Sequence, residues 1–248
     1  MSANDMKAAK ARIRVVACPI AFNEESKIGS VVSRFNPEDI DEILVVDDGS
    51  TDSTAEVAKN AGANVLSLKE RRGVGNAIRE ATKYARDNNY DVIVVVAGND
   101  KDRPQEIPRL LKPIIEEGCD FVQGSRYLPG GSFGNMPVYR QLSTRYLHPM
   151  LLSMATGKRI TDSSNGFRAF RLSILDHPKV DIDQVWLDAY ELEVYLYYKV
   201  ITLGLKFREV PVTKIYPEHS LGYTKMQPIT GWWKMLRPIF FLRLGFKK

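Results

Sequence analysis

The chain has 248 residues, of which 44% are apolar and 26% charged, a balance that fits one soluble domain with a full core. Lys and Arg number 35 against 30 Asp and Glu, and the resulting charge of +5 suits phosphate-bearing ligands or an anionic membrane surface. No dense basic run or known nucleic-acid motif accompanies it, which argues against nucleic acid. The two cysteines, Cys18 and Cys119, are far apart and each lies beside a predicted strand, so buried free thiols in a reducing compartment are expected rather than a disulfide or a zinc site. The charged, Ala-rich segment 1–12 lacks the apolar stretch of a signal peptide, and a cytoplasmic chain is expected.

Residues 14–19 read as a strand and 24–35 as a helix with Glu24 and Glu25 in its first turn, where the macrodipole favours acids. Ile43-Leu44-Val45-Val46 is apolar and mostly β-branched, the pattern of a buried parallel strand. It runs into Asp47-Asp48-Gly49 and then Ser50-Thr51-Asp52, which is cap chemistry for a helix over 53–61. Ligands of open α/β sheets sit outside the carboxyl ends of the strands. Asp47 and Asp48 are therefore expected at a binding mouth, since two adjacent carboxylates repel unless a ligand or cation uses them. A plain capped turn would account for Ser50 and Asp52 but not for the paired acids. Phe22-Asn23-Glu24 follows the first strand and reaches the same mouth, with a ring able to stack on a base and acids able to accept from base or ribose; an ordinary loop aromatic is the alternative.

A strand over 63–68 leads to Arg71-Arg72-Gly73-Val74-Gly75 at the start of a helix over 75–88. Small residues there admit an anion to the helix N-terminus, and Arg72 and Gly73 are the phosphate candidates. A buried strand over 91–97, a helix over 104–117 opened by Pro104, and a strand over 120–123 complete the first half. This βα alternation predicts an α/β fold with a mostly parallel, doubly wound sheet. Beyond Gly124 follow a Gly-rich loop over 128–135, an amphipathic helix over 136–156, a strand-like return over 160–170, a helix over 187–203 and an edge strand over 205–216. The last segment, 231–248, carries Trp232, Trp233 and Phe residues among Lys234, Arg237 and Arg243. It falls short of the roughly 20 apolar residues that span a bilayer. It reads as an interfacial segment appended to a body of 1–230, with a terminal helix packed on that body as the alternative.

Taken in order, Ala21-Phe22-Asn23-Glu24-Glu25, Val45-Val46-Asp47-Asp48-Gly49-Ser50-Thr51-Asp52, Gly124-Ser125-Arg126-Tyr127 and Thr161-Asp162-Ser163-Ser164-Asn165-Gly166-Phe167-Arg168 resemble the family 2 glycosyltransferases of the GT-A fold. The pattern is closest to the polyprenyl-phosphate sugar synthases and runs from about residue 14 to about residue 225. The resemblance implies inverting transfer from a nucleoside-diphosphate sugar, UDP ahead of GDP, to a polyprenyl phosphate or other lipid by an enzyme held peripherally at the cytoplasmic face of a membrane. It implies a donor site of Ile20, Phe22, Glu24, Asp47, Asp48, Arg72, Gly73, Gly98 and Asn99. It implies phosphate and acceptor contacts from Arg126, Arg140, Thr144, His219 and Lys225, and catalytic roles for Asp162, Glu191 and Lys101. A phosphate acceptor needs no strong base, whereas a hydroxyl acceptor needs Asp162, Asp188 or Glu191 to act as one. A transferase for a soluble or peptidyl hydroxyl, and a catalytically silent nucleotide-sugar binder, are the alternatives.

One motif departs from the pattern. The Asp-x-Asp that holds a divalent cation in this family falls on Ala97-Gly98-Asn99, and the next ligand falls on Lys101. Three readings follow: Mg²⁺ or Mn²⁺ is held by Asn99, Asp100 and Asp102, Lys101 supplies the positive charge itself, or the site is degenerate. Weak metal dependence is expected.

Overall fold

A computed structural model describes residues 12–216 and 230–247. Its first half alternates strand and helix: β1 (Val15–Ala21), α1 (Glu25–Val32), β2 (Glu42–Asp47), α2 (Thr54–Asn60), β3 (Asn64–Ser67), α3 (Val74–Asp87), β4 (Val92–Ala97), α4 (Ile107–Glu117) and β5 (Phe121–Ser125). Then come β6 (Ser132–Gly134), α5 (Val138–Leu142), α6 (His148–Thr156), β7 (Arg168–Arg171), α7 (Glu191–Thr202), β8 (Phe207–Pro211), β9 (Thr213–Ile215) and α8 (Thr230–Arg243). Seven strands form one sheet in the order β3-β2-β1-β4-β7-β5-β8, and β6 pairs with β9 in a small second sheet. All neighbours in the large sheet run parallel except β7, which lies antiparallel to both β4 and β5. The result is the mostly parallel α/β architecture expected.

Alternate residues of the buried strands feed opposite layers, as a two-residue side-chain period requires. Val16, Cys18, Leu44 and Val46 pack with α3, α7 and the inner face of α8, while Val15, Ala17, Val45 and Val94 pack with α1, α2 and α4. Both cysteines are buried and unbridged.

Four expected elements differ in extent. The return over 160–170 narrows to Arg168–Arg171, because Asp162 and Asn165 bond the backbone two residues on and hold 162–167 as turns. The helix over 187–203 starts at Glu191, after a short turn at Val185–Leu187. The edge strand over 205–216 splits at Val212, whose N–H bonds the Ser125 carbonyl, so β8 stays in the large sheet and β9 leaves it. The helix over 136–156 is α5 and α6 joined by a π turn at Ser143–Leu147, where Pro149 has no N–H for the carbonyl of Arg145. In the C-terminal segment, α8 buries Met235, Ile239 and Leu242 and leaves Trp233 and Phe240 exposed. Among the described residues no helix is long and apolar enough to cross a membrane.

Candidate functional site

The carboxyl ends of β1, β2 and β4 open on a cleft of about 560 Å³ whose far side is built by α5, α7, β9 and the start of α8. Parallel register sets Ala21 beside Asp47 and Ile20 beside Ala97, so three strand ends converge on one mouth. Asp47 and Asp48 then divide the work. Asp47 turns back to accept from Ser50 N–H at 3.0 Å and closes the turn that Gly49 makes at φ +71°. One of its carboxylate oxygens therefore shapes the turn, and Asp47 is not among the residues that line the cleft. Asp48 faces the cleft and accepts from Arg72 N–H at 3.0 Å and Gly73 N–H at 2.9 Å. Burial raises its carboxyl above the ordinary range, against the two backbone bonds and Arg71 that lower it.

Phe22 reaches the mouth as expected, with the Arg71 guanidinium 4.1 Å from its ring centre. Glu24 also lines the cleft, bound to Lys27 at 2.8 Å. The glycines of the α3 entry make room for backbone. A Cβ on Gly75 would lie 1.9 Å from the Leu187 carbonyl, and one on Gly73, at φ +115°, would lie 2.6 Å from the Asp188 carbonyl. They admit the backbone of 187–189, where Asn76 N–H bonds the Asp188 carbonyl at 3.0 Å, and Gly73 also lines the cleft. Arg72 leans onto Asp188 at 3.3 Å and keeps half its side chain exposed at the rim. Gly98 is likewise packed away from the cleft lining, since a Cβ there would stand 2.8 Å from the Ile20 carbonyl.

After β4 the chain turns sharply, with Asp100 at φ +63°. The three candidate metal ligands do not converge. Asp100 swings to Arg34, with Arg103 at 3.5 Å. Asp102 is buried, taking Ala97 N–H on one oxygen at 2.8 Å and Lys214 Nζ on the other at 2.5 Å. Asn99 alone of the three lines the cleft, and its buried Oδ1 has no hydrogen-bond partner among the described residues. Lys101 does enter the cleft, with Nζ 4.8 Å from the Tyr216 ring centre. Burial pushes its ammonium down to about 7, and the charges of Lys214 and Arg140 push the same way against Glu24 and Asp102.

Arg126 and Asp162 form a buried fork, Nε to Oδ2 at 2.7 Å and Nη2 to Oδ1 at 2.8 Å. Arg126 also donates to Ser164 Oγ at 2.7 Å and touches the cleft. Asp162, expected as a catalytic group, lies behind it, fully buried and outside the cleft lining. Glu209 holds that turn in place through the N–H groups of Thr161 and Asp162. Arg140 and Thr144 meet in the cleft as their spacing predicts, with Thr144 Oγ1 2.6 Å from the Tyr127 hydroxyl. Glu191, also expected as a catalytic group, is buried outside the cleft lining and pairs with Arg237 of α8. His219 and Lys225 lie outside the described residues.

The sequence reading missed Arg71, Tyr190, Glu193, Lys214 and Tyr216, all of which line the cleft. The two-residue period of Lys214-Ile215-Tyr216 was the available signal for the last pair, because alternate side chains of β9 point the same way.

The sequence matches the family model described as Glycosyl transferase family 2 over residues 18–178. It is 30% identical over 224 residues to an undecaprenyl-phosphate mannosyltransferase of Micrococcus luteus, covering 86% of this chain and 88% of that one. It is also 30% identical to a UDP-N-acetylglucosamine–dolichyl-phosphate N-acetylglucosaminyltransferase of Methanococcus voltae, over 82% and 86% of the two chains. In fold it resembles glucosyl-3-phosphoglycerate synthase from Mycobacterium tuberculosis, solved with Mn²⁺, uridine-diphosphate-glucose and phosphoglyceric acid. That match has a TM-score of 0.71 at 21% identity and covers 100% of this chain and 86% of the other.

Proposed function

The chain belongs to glycosyl transferase family 2 and is a glycosyltransferase of the GT-A fold, and from that premise we propose that it transfers a sugar from a UDP-sugar to a polyprenyl phosphate at the cytoplasmic face of a membrane. The observation that carries this reading is the state of the carboxylates around the cleft. Asp162 is held by Arg126, Asp188 by Arg79, Glu191 by Arg237, Glu193 by Arg168 and Glu24 by Lys27. Of the acids that line the cleft, Glu24 and Glu193 are engaged with cations and Asp48 with two loop N–H groups, so among the described residues a hydroxyl acceptor, which needs a base to take its proton, meets no uncommitted one. A phosphate acceptor arrives already ionised and needs no such base, and Arg126 and Arg140 line the same cleft. The names of the two curated relatives support the lipid acceptor, and that of the M. voltae enzyme supports a UDP donor.

In this mechanism Asp48 and Phe22 seat the nucleoside end of the donor. An acceptor phosphate oxygen attacks the anomeric carbon as the bond from that carbon to the diphosphate oxygen breaks. The attack is in line, so the anomeric configuration inverts, and the departing diphosphate gathers its charge against the cleft cations. The exposed apolar side chains of α5, α6 and α8 support a membrane-surface position, and the buried free thiols support a reducing compartment.

The test is transfer by the purified full-length protein from a panel of labelled UDP- and GDP-sugars to a short polyprenyl phosphate. Label is expected in the organic phase with a UDP-sugar. Label on a water-soluble acceptor, or none transferred from any donor, rejects the reading.

A further inference from the structure

The loop after β4 is the place where this chain's residues and the family's divalent cation disagree. Among the described residues no group of three or more His, Cys, Asp or Glu side chains could hold a metal ion. Both oxygens of Asp102 are engaged, by Ala97 N–H and by Lys214, and Asp100 is turned to Arg34. What remains of the three in the cleft lining is Asn99, a neutral amide. Mg²⁺ and Mn²⁺ are held by one or two carboxylates besides the phosphates, and one amide oxygen does not meet that need.

The same loop carries a cation of its own. The turn at Asp100 sends that acid outward and the next side chain, Lys101, inward. Lys101 is fixed from behind: its carbonyl accepts from Ile215 N–H at 3.0 Å, and Asp102 and Lys214 bridge the two segments. Among the described residues it makes no ion pair, and its ammonium lies over Tyr216 in a cleft also lined by Lys214, Arg140 and Arg126. Lys214 and Arg126 are balanced by Asp102 and Asp162, so Lys101, which has no such partner among the described residues, is a positive charge that repels a divalent cation and attracts a diphosphate.

We propose that Lys101 occupies the role of the family's divalent cation, so that this cleft binds the diphosphate of its donor without metal. The proposal rests on the donor reading of the cleft given above. Lys101 gives the diphosphate a point charge and up to three N–H donors, and Asn99 supplies a neutral contact where the cation's ligand would stand.

The experiment is calorimetric titration of the full-length protein with UDP and with GDP, in EDTA and in millimolar Mg²⁺ or Mn²⁺. Affinity for the bound diphosphate is expected to agree within about twofold across these conditions. Lys101→Met is expected to weaken that diphosphate about tenfold or more while leaving affinity for the bare nucleoside unchanged, and Lys101→Arg to restore most of it. Restoring the acids, by Ala97→Asp with Asn99→Asp and Lys101→Gln, is expected to make binding depend on metal. If EDTA abolishes binding by the native chain and Mg²⁺ restores it, the proposal falls while the donor reading stands. If binding is metal-free but Lys101→Met leaves it intact, the role of Lys101 falls. If neither diphosphate binds under any condition, both fall together.

Discussion

Asp48 gives one carboxylate oxygen to Arg72 N–H and the other to Gly73 N–H, and so shapes the loop that the donor must enter. Asp48→Asn keeps the size but replaces one acceptor with an NH₂ that faces an N–H. One loop bond is lost and a buried donor is left unsatisfied, a cost of about 1–3 kcal/mol. UDP affinity is expected to fall about tenfold or more, with a matching loss in thermal stability. Unchanged calorimetric affinity would remove Asp48 from the donor site. Residue identity alone carried much of this cleft: Phe22, Glu24, Asp48, Asn99, Lys101, Arg126, Arg140 and Thr144 all line it, as the motifs implied. What the motifs could not convey is direction. Asp47 and Asp48 are chemically equal neighbours, yet one closes a turn and the other lines the cleft, a difference set by strand alternation and by Gly49. Asp162 and Glu191 were legible as important acids. Their arginine partners, Arg126 and Arg237, stand 36 and 46 residues away in the chain and become neighbours only through folding.

At the level of elements, the first half is legible because its central strands β1, β2 and β4 are buried along most of their length and read as apolar runs. The second half is harder to read, since its segments are short and held by specific side chains. His148, at the head of α6, is one of these. It is fully buried, with Nε2 donating to the Met235 carbonyl of α8 at 3.1 Å and Nδ1 accepting from the Ser163 hydroxyl at 2.6 Å. The carbonyl can only accept, which assigns the proton to Nε2. Burial holds this imidazole down to about 4 from its ordinary 6.5. The unfolded chain therefore takes up a proton that the folded chain refuses between those values. Stability is full above about 6.5 and falls as the pH drops toward about 4, by roughly 3 kcal/mol from this group. Urea midpoints measured near neutrality and near pH 4 are expected to differ less for His148→Gln than for the native chain. An equal acid sensitivity in both would assign that loss to other groups.

On the scale of the whole molecule, the packed helices α6 and α8 both carry exposed apolar side chains. Leu142, Tyr146, Met150 and Met154 stand exposed along α5 and α6, and Trp233, Phe240, Leu244 and Phe246 stand exposed on and beyond α8. α6 packs against α8, which also lines the cleft through Trp232 and Lys234. Replacing Trp233, Phe240, Leu244 and Phe246 with Ser removes surface groups while keeping Met235, Ile239 and Leu242 in the core. Each buried apolar side chain is worth about 1.5–3 kcal/mol of transfer from water. Partitioning onto anionic vesicles is accordingly expected to drop at least about a hundredfold in a flotation assay. Flotation equal to that of the native chain would reject the membrane-surface position.

The antiparallel strand β7 has a consequence for the order in which the molecule is made. β4 and β5 never touch each other as sheet neighbours; each pairs with Arg168–Arg171, which lies between them in space but after both in the chain. A ribosome that has released the whole βα half of the protein has therefore produced β4 with one edge open, and that edge is the run Val92-Ile93-Val94-Val95-Val96-Ala97. Open apolar edges recruit other strands. Until residue 171 emerges, this stretch is the part of the nascent chain that a holding chaperone has to cover, and translation speed between β5 and β7 sets how long it must do so.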